Sequence, residues 1–179
     1  DLADAQWART AIEAMAARDV VQGTSETEYS PGRTIKRADM VLMLARALEI
    51  QSGDGAKTLP FADVGRDAYY ADALAAARQL GIVEGAEGSL FRPEEPISRE
   101  DTVVIVKRAL DRKGLSLAGA SRPGVGFSDQ ADIADYAAES VKALVQAGVI
   151  EGDEGGFHPK QPLTRAQAAV LLMRTLQLQ

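Results

Sequence analysis

The sequence predicts a mainly α protein in which three helix-loop-helix repeats gather around a pseudo-threefold axis. Two observations carry this. The chain aligns with itself three times at a period of about sixty residues, and self-similarity at a fixed period marks a repeat architecture. Each copy also holds two segments with helical apolar spacing, and one copy is too short to bury both apolar faces alone, so the copies must pack on each other.

The period is set by the gapless alignment of YSPGRTIKRAD (Tyr29 to Asp39), FRPEEPISRED (Phe91 to Asp101) and FHPKQPLTRAQ (Phe157 to Gln167). An aromatic, a proline, an aliphatic and an arginine recur in register, the last as Arg37, Arg99 and Arg165. Upstream, MAARDVVQG, ARQLGIVEG and LVQAGVIEG align and end at Gly23, Gly85 and Gly152, each sixteen residues after an aromatic: Trp7, Tyr69 and Tyr136. FADV and FSDQ place Asp63 and Asp129 ahead of the first helix, and Asp1 falls at the same position. The units are therefore 1–50, 61–112 and 127–179 within one composite domain. The joints at 51–60 and 113–126 are rich in Gly, Ser and Pro and read as linkers. Because Asp1 falls inside a repeat, the chain reads as part of something longer.

Within a unit the first helix comes from a stripe such as Tyr69, Ala73, Leu74, Ala77 and Leu80. Gly81 and Gly148 sit where a left-handed residue ends a helix, with the less tolerant Asp19 in the first unit. The second helix starts at the arginine motif. Ser98 with Asp101, and Thr164 with Gln167, have capping-box spacing, whereas Lys36 cannot cap. TVVIVKRAL (Thr102 to Leu110) alone suggests a strand, but its register partners MVLMLARAL and AAVLLMRTL favour helix. Three second helices around the axis would bury Val41, Leu44, Leu48 and their counterparts.

A cation in the first helical turn opposes the macrodipole, at roughly 0.3 to 1 kcal/mol when unpaired. An ordinary surface arginine would pair with a neighbouring aspartate such as Asp63 or Asp129, but three in register point at least as strongly to an anion held by guanidinium forks and free helix amides, or to an inter-unit role. Arg46, Arg108 and Arg174 lie at the other end of these helices and read as structural. The aromatics Trp7, Tyr69 and Tyr136, with Trp7 the best candidate, can stack on a sugar, although an aromatic opening an amphipathic helix is more often core. Gly23, Gly85 and Gly152 permit either a turn or close approach of a ligand.

Other chemistries find little support. The net charge of −6 with scattered basic residues disfavours nucleic acid. No apolar run reaches the roughly 20 residues that span a bilayer, so membrane insertion is not expected. Cysteine is absent, removing thiolate metal sites and thiol nucleophiles. The single histidine, His158, has no counterpart in the other units and reads as a solvated loop residue. Asp129, Asp132 and Asp135 lack the alternating ligands and glycine of an EF-hand, and neither a hydrolase triad nor a unique carboxylate couple stands out. No cofactor is expected.

The order F-x-D, aromatic-A, helix, G-I-V-x-G, F-x-P and I/L-T/S-R-A-E/Q resembles the S-layer homology domain in three copies over nearly the whole chain. The resemblance implies a three-pronged spindle around a central three-helix bundle. It further implies a module fused to a larger protein at the wall of a Gram-positive bacterium, without catalysis. Grooves between units would bind an anionic secondary cell-wall polysaccharide, often ending in pyruvylated N-acetylmannosamine. Arg37, Arg99 and Arg165 would be the main contacts, joined by Asp1, Asp63, Asp129, Trp7, Tyr69, Tyr136, Gly23, Gly85 and Gly152. LTRAQ is the most family-like motif. IKRAD loses its hydroxyl to Lys36, and ISRED gains Glu100, expected to weaken anion capture beside Arg99. An alternative is a protein-interaction module for surface-layer assembly.

Overall fold

A computed structural model describes residues 1–51, 61–85, 89–115, 117, 126–153 and 155–178. The linkers at 51–60 and 113–126 lie for the most part outside them. The described residues form six α-helices: α1 (Arg9–Ala16), α2 (Arg37–Ala47), α3 (Ala71–Gln79), α4 (Arg99–Arg112), α5 (Asp135–Gln146) and α6 (Arg165–Leu176). Short 3-10 turns at Ala3–Ala8 and Gln130–Asp132 precede α1 and α5.

The first helix of each unit ends as its sequence requires. Asp19, Gly81 and Gly148 take φ of 55°, 69° and 71°. The next amides, of Val20, Ile82 and Val149, then reach back to Met15, Ala77 and Leu144 carbonyls at 2.8 to 2.9 Å. Asp19 reaches this conformation without glycine, which costs about 1 kcal/mol. Ser98 caps α4 through the Asp101 amide, and Thr164 with Gln167 forms a complete capping box on α6. Lys36 leaves α2 without a side-chain cap.

The β-branched run Thr102 to Leu110 is helical, as its register partners require. It is central, so packing overrides local propensity: Val103, Val106 and Leu110 are fully buried. Val41, Leu44 and Leu48 are buried at the same positions of the first unit.

The helices pair across units. α3 packs on α2, α5 on α4, and α1 on α6, so each first helix covers the second helix of the preceding unit and the first unit closes against the third. Backbone bonds tie the starts of the second helices into a ring: Ile35 N donates to Leu163 O, Leu163 N to Ile97 O and Ile97 N to Ile35 O, at 2.9 to 3.1 Å. These three aliphatic side chains are buried at the ring. A single unit would leave both its helices without partners, the physical reason for three copies.

Candidate ligand-binding grooves

The ring consumes the helix amides that an anion was expected to find free. Arg37 N, Arg99 N and Arg165 N donate to Glu95 O, Gln161 O and Arg33 O, each at 2.9 Å. The following amides, of Ala38, Glu100 and Ala166, donate to Pro93, Pro159 and Pro31 carbonyls. The expected helix-amide contribution to anion capture is therefore corrected: the first two orphan donors are satisfied by the neighbouring unit.

The arginine side chains take the inter-unit role. Nε of Arg37, Arg99 and Arg165 donates to Phe91 O, Phe157 O and Tyr29 O at 2.8 to 3.0 Å. Each guanidinium also lies over the ring of that same aromatic, at 5.0, 5.3 and 4.5 Å from the centroid. The second contact then separates them. Arg99 and Arg165 donate a terminal nitrogen to Glu151 O (3.0 Å) and Gln22 O (2.5 Å), whereas Arg37 pairs with the Asp101 carboxylate at 2.9 Å. Arg99 and Arg165 are 5% and 7% exposed. Carbonyls satisfy a guanidinium's donors but leave its charge uncompensated. Burial pushes the pKa of Arg99 below the ordinary arginine range, against the opposing pull of Asp153 and Asp129.

Asp1, Asp63 and Asp129 share a different task. Each carboxylate accepts two successive amides of the aromatic loop: Tyr29 and Ser30, Phe91 and Arg92, Phe157 and His158, at 2.6 to 3.0 Å. The second residue of every pair has φ between 55° and 60°, so the carboxylate holds a left-handed bend. Desolvation works against ionisation of Asp63, but the Phe91 and Arg92 amides win and lower its pKa. The Phe157 amide leads the same lowering at Asp129.

The glycines are demanded by the chain itself. A Cβ at Gly23 would lie 2.6 Å from Ser25 O, and one at Gly152 would lie 2.4 Å from Gly156 O and from the Phe127 ring. At Gly85 it would meet the Phe61 ring at 2.9 Å.

The reading of the helix-start aromatics as core is overturned: Trp7, Tyr69 and Tyr136 are 63%, 65% and 59% exposed. The buried stripe starts one residue later, at Ala8, Tyr70 and Ala137. Tyr69 and Tyr136 donate their hydroxyls to Asp39 and Asp101, the acid in the first turn of the preceding unit's second helix. Partial desolvation first, and then those carboxylates, push both phenol pKa values up, so both stay protonated donors.

Two clefts result, each built from all three units. One, of about 410 Å³, is lined by Arg165, by Gly23, Arg33, Lys36, Asp39 and Arg46 of the first unit, and by Tyr69. The other, of about 470 Å³, is lined by Arg37, by Gly85, Glu95, Ser98, Asp101 and Arg108 of the second unit, and by Tyr136. Register places Arg99, Gly152, Arg174 and Trp7 at the same positions of a third groove. Sequence reasoning thus found the arginine, glycine and aromatic of each cleft. It missed Asp39, Asp101 and Arg33, which only the cyclic packing brings in.

Two further expectations change. Glu100 does not face Arg99: its buried carboxylate pairs with Lys160 and accepts from Ala134 N (3.0 Å) and the Tyr136 hydroxyl (3.3 Å). It thus fixes the start of α5 rather than opposing anion capture. His158 is not a free loop residue; its Nε2 lies 2.7 Å from Asp153 and its Nδ1 3.8 Å from Asp129.

Repeated units that cross-pair into a ring and build polar clefts at their joints define a repeat-assembled module. The model of the S-layer homology domain matches residues 2–41, 60–103 and 126–169, and the chain belongs to that family. It is 34% identical to an amylopullulanase of Thermoanaerobacterium thermosulfurigenes over 96% of its own length and 9% of that protein's. An exoglucanase XynX of Acetivibrio thermocellus matches at 34% over 96% of this chain and 16% of its own. A surface-layer 125 kDa protein of Lysinibacillus sphaericus matches at 30%, over 96% and 14%. The chain thus spans less than a fifth of these relatives.

Proposed function

We propose that this chain is a non-catalytic anchoring module that holds a larger protein at a bacterial cell surface by binding an acidic cell-wall polysaccharide. Family membership supports surface attachment. Relatives named as two different carbohydrate-active enzymes and a surface-layer protein share this segment, so the segment is not tied to one activity. The polymer's acidic groups, of the pyruvylated N-acetylmannosamine kind, would sit by the arginines, with sugar faces against the exposed aromatics, at the wall of a Gram-positive cell.

One observation carries the reading. On a chain of net charge −6, the cleft headed by Arg165 is lined by Arg33, Lys36, Arg46 and Arg165 with Asp39 as its lining acid; Lys36 is paired with Glu94, and the three arginines meet no carboxylate among the described residues. A charge this local focuses an anion that the whole molecule would repel. Binding is reversible, and contacts add through avidity wherever more than one groove takes a ligand.

The test is retention on purified cell-wall sacculi before and after the secondary polymer is removed, repeated with the protein-free polymer alone. Loss of retention after stripping, with binding to free polymer, is the expected result. Equal retention on both sacculi defeats the proposal. Retention that requires a surface protein would instead establish the assembly module.

A further inference from the structure

The cleft headed by Arg165 does not stop at Tyr69. A second cleft, of about 630 Å³, shares Gln22, Leu42, Arg46 and Tyr69 with it, so the two make one trough. Its lining advances along α2 from Lys36 at the start to Glu49 and Ile50 beyond the end. Eleven helical residues rise about 16 Å, longer than one sugar ring.

Arg46 stands where the two clefts meet, and a single register change has set it free. Its counterparts are paired, Arg108 with Glu84 at 3.4 Å and Arg174 with Glu151 at 3.1 Å. In the first unit the position of those acids is held by Gln22. Arg46 is exposed, and its side chain has neither ion pair nor hydrogen bond among the described residues. The second cleft adds Arg18 and Gln51 and the acids Asp19, Glu49 and Asp72 as polar groups beside Leu42, Ala73 and the Tyr69 ring, which leaves Arg18 and Arg46 as its cations. Apolar surface ringed by donors and acceptors suits a sugar, whose ring presents both.

We propose that this trough takes an acidic oligosaccharide of more than one residue, with Arg46 reading a group on the ring beyond the one held near Arg165. This rests on the anchoring reading and deepens it: the recognised unit is an internal stretch of polymer as well as its end. Arg46 is then a specificity-determining residue rather than only a complement to the helix carbonyls.

The experiment is calorimetric titration of the whole chain with two probes: a carboxylated amino-sugar monomer, and size-fractionated acidic oligomers released from wall polymer. The wild type is expected to bind oligomers about tenfold more tightly than the monomer. Arg46→Gln, on the surface, should erase that preference. Ala73→Trp, which fills the second cleft, should do the same, with circular dichroism confirming its fold. Equal wild-type affinity for both probes overturns the subsite and leaves anchoring standing, as does an oligomer preference indifferent to Arg46→Gln. Failure to bind either probe overturns the anchoring reading and the subsite together.

Discussion

The two clefts are built on one backbone frame yet differ in what their charges are doing. In the cleft headed by Arg37, the guanidinium is paired with Asp101, Asp101 also accepts from Tyr136, and Arg108 is paired with Glu84. Its cations are already answered by acids of the same molecule. In the cleft headed by Arg165, the guanidinium meets two carbonyls, and Gln22 and Arg33 stand where the other has Glu84 and Glu95; Lys36, in place of Ser98, is the one lining cation here that pairs with an acid, Glu94. Repetition thus fixes the scaffold, while a few side-chain exchanges decide which groove has charge left for a ligand.

The most severe way to break this comparison is to reverse the exchange. Arg33→Glu with Lys36→Glu turns the cationic rim acidic without touching a buried residue. Affinity for wall polymer should fall about a hundredfold, near 2.7 kcal/mol. Titration against free polymer reads the loss, and an unchanged helical signal separates it from unfolding. If affinity holds, the asymmetry between the clefts has no bearing on binding.

The comparison can also be sharpened from the other side. Asp101→Asn removes the carboxylate that neutralises Arg37 while keeping an amide oxygen for Tyr136. The cleft headed by Arg37 should then accept an acidic sugar, gaining one site per chain. Two modest sites on one chain should raise retention on sacculi about tenfold through avidity. Unchanged stoichiometry would show that Arg37 stays silent for a reason other than Asp101.

Much of the frame was legible because it is periodic. Left-handed stops at Gly81 and Gly148, caps at Ser98 and Thr164, and the helical state of Thr102 to Leu110 follow from lining one unit up with another. The cross-unit contacts were not legible. Local spacing put Tyr69 on a buried stripe, yet the helix starts only at Ala71 and Tyr69 reaches the next helix over, at Asp39. The arginine motif showed a cation that its own helix does not want. It hid the aromatic loop of the following unit, which supplies both a carbonyl and a ring face. Glu100 misled for the same reason, since its partners Lys160 and Ala134 lie in another unit.

The smallest expected effect concerns the aromatic loops, one of which walls the cleft headed by Arg37 through Phe91 and Arg92. Asp63 and Asp129 each hold an aromatic loop by two amides, and their pKa values lie below the ordinary carboxylate range. A carboxyl whose folded pKa is depressed contributes stability in full above its unfolded value, about 3.9, and loses it as pH falls through the folded value. The loops should therefore be indifferent to pH between neutrality and about 5 and loosen only below about 4. Asp129→Asn keeps the shape, leaves one amide with a neutral acceptor and the other with none, and should cost about 1 kcal/mol at neutral pH. It should also flatten the acid limb of the stability curve, since the variant has no proton to take up there. Denaturant melts of both proteins across that range measure the difference. An acid limb equally steep in the variant would remove Asp129 from the account of how the third loop is held.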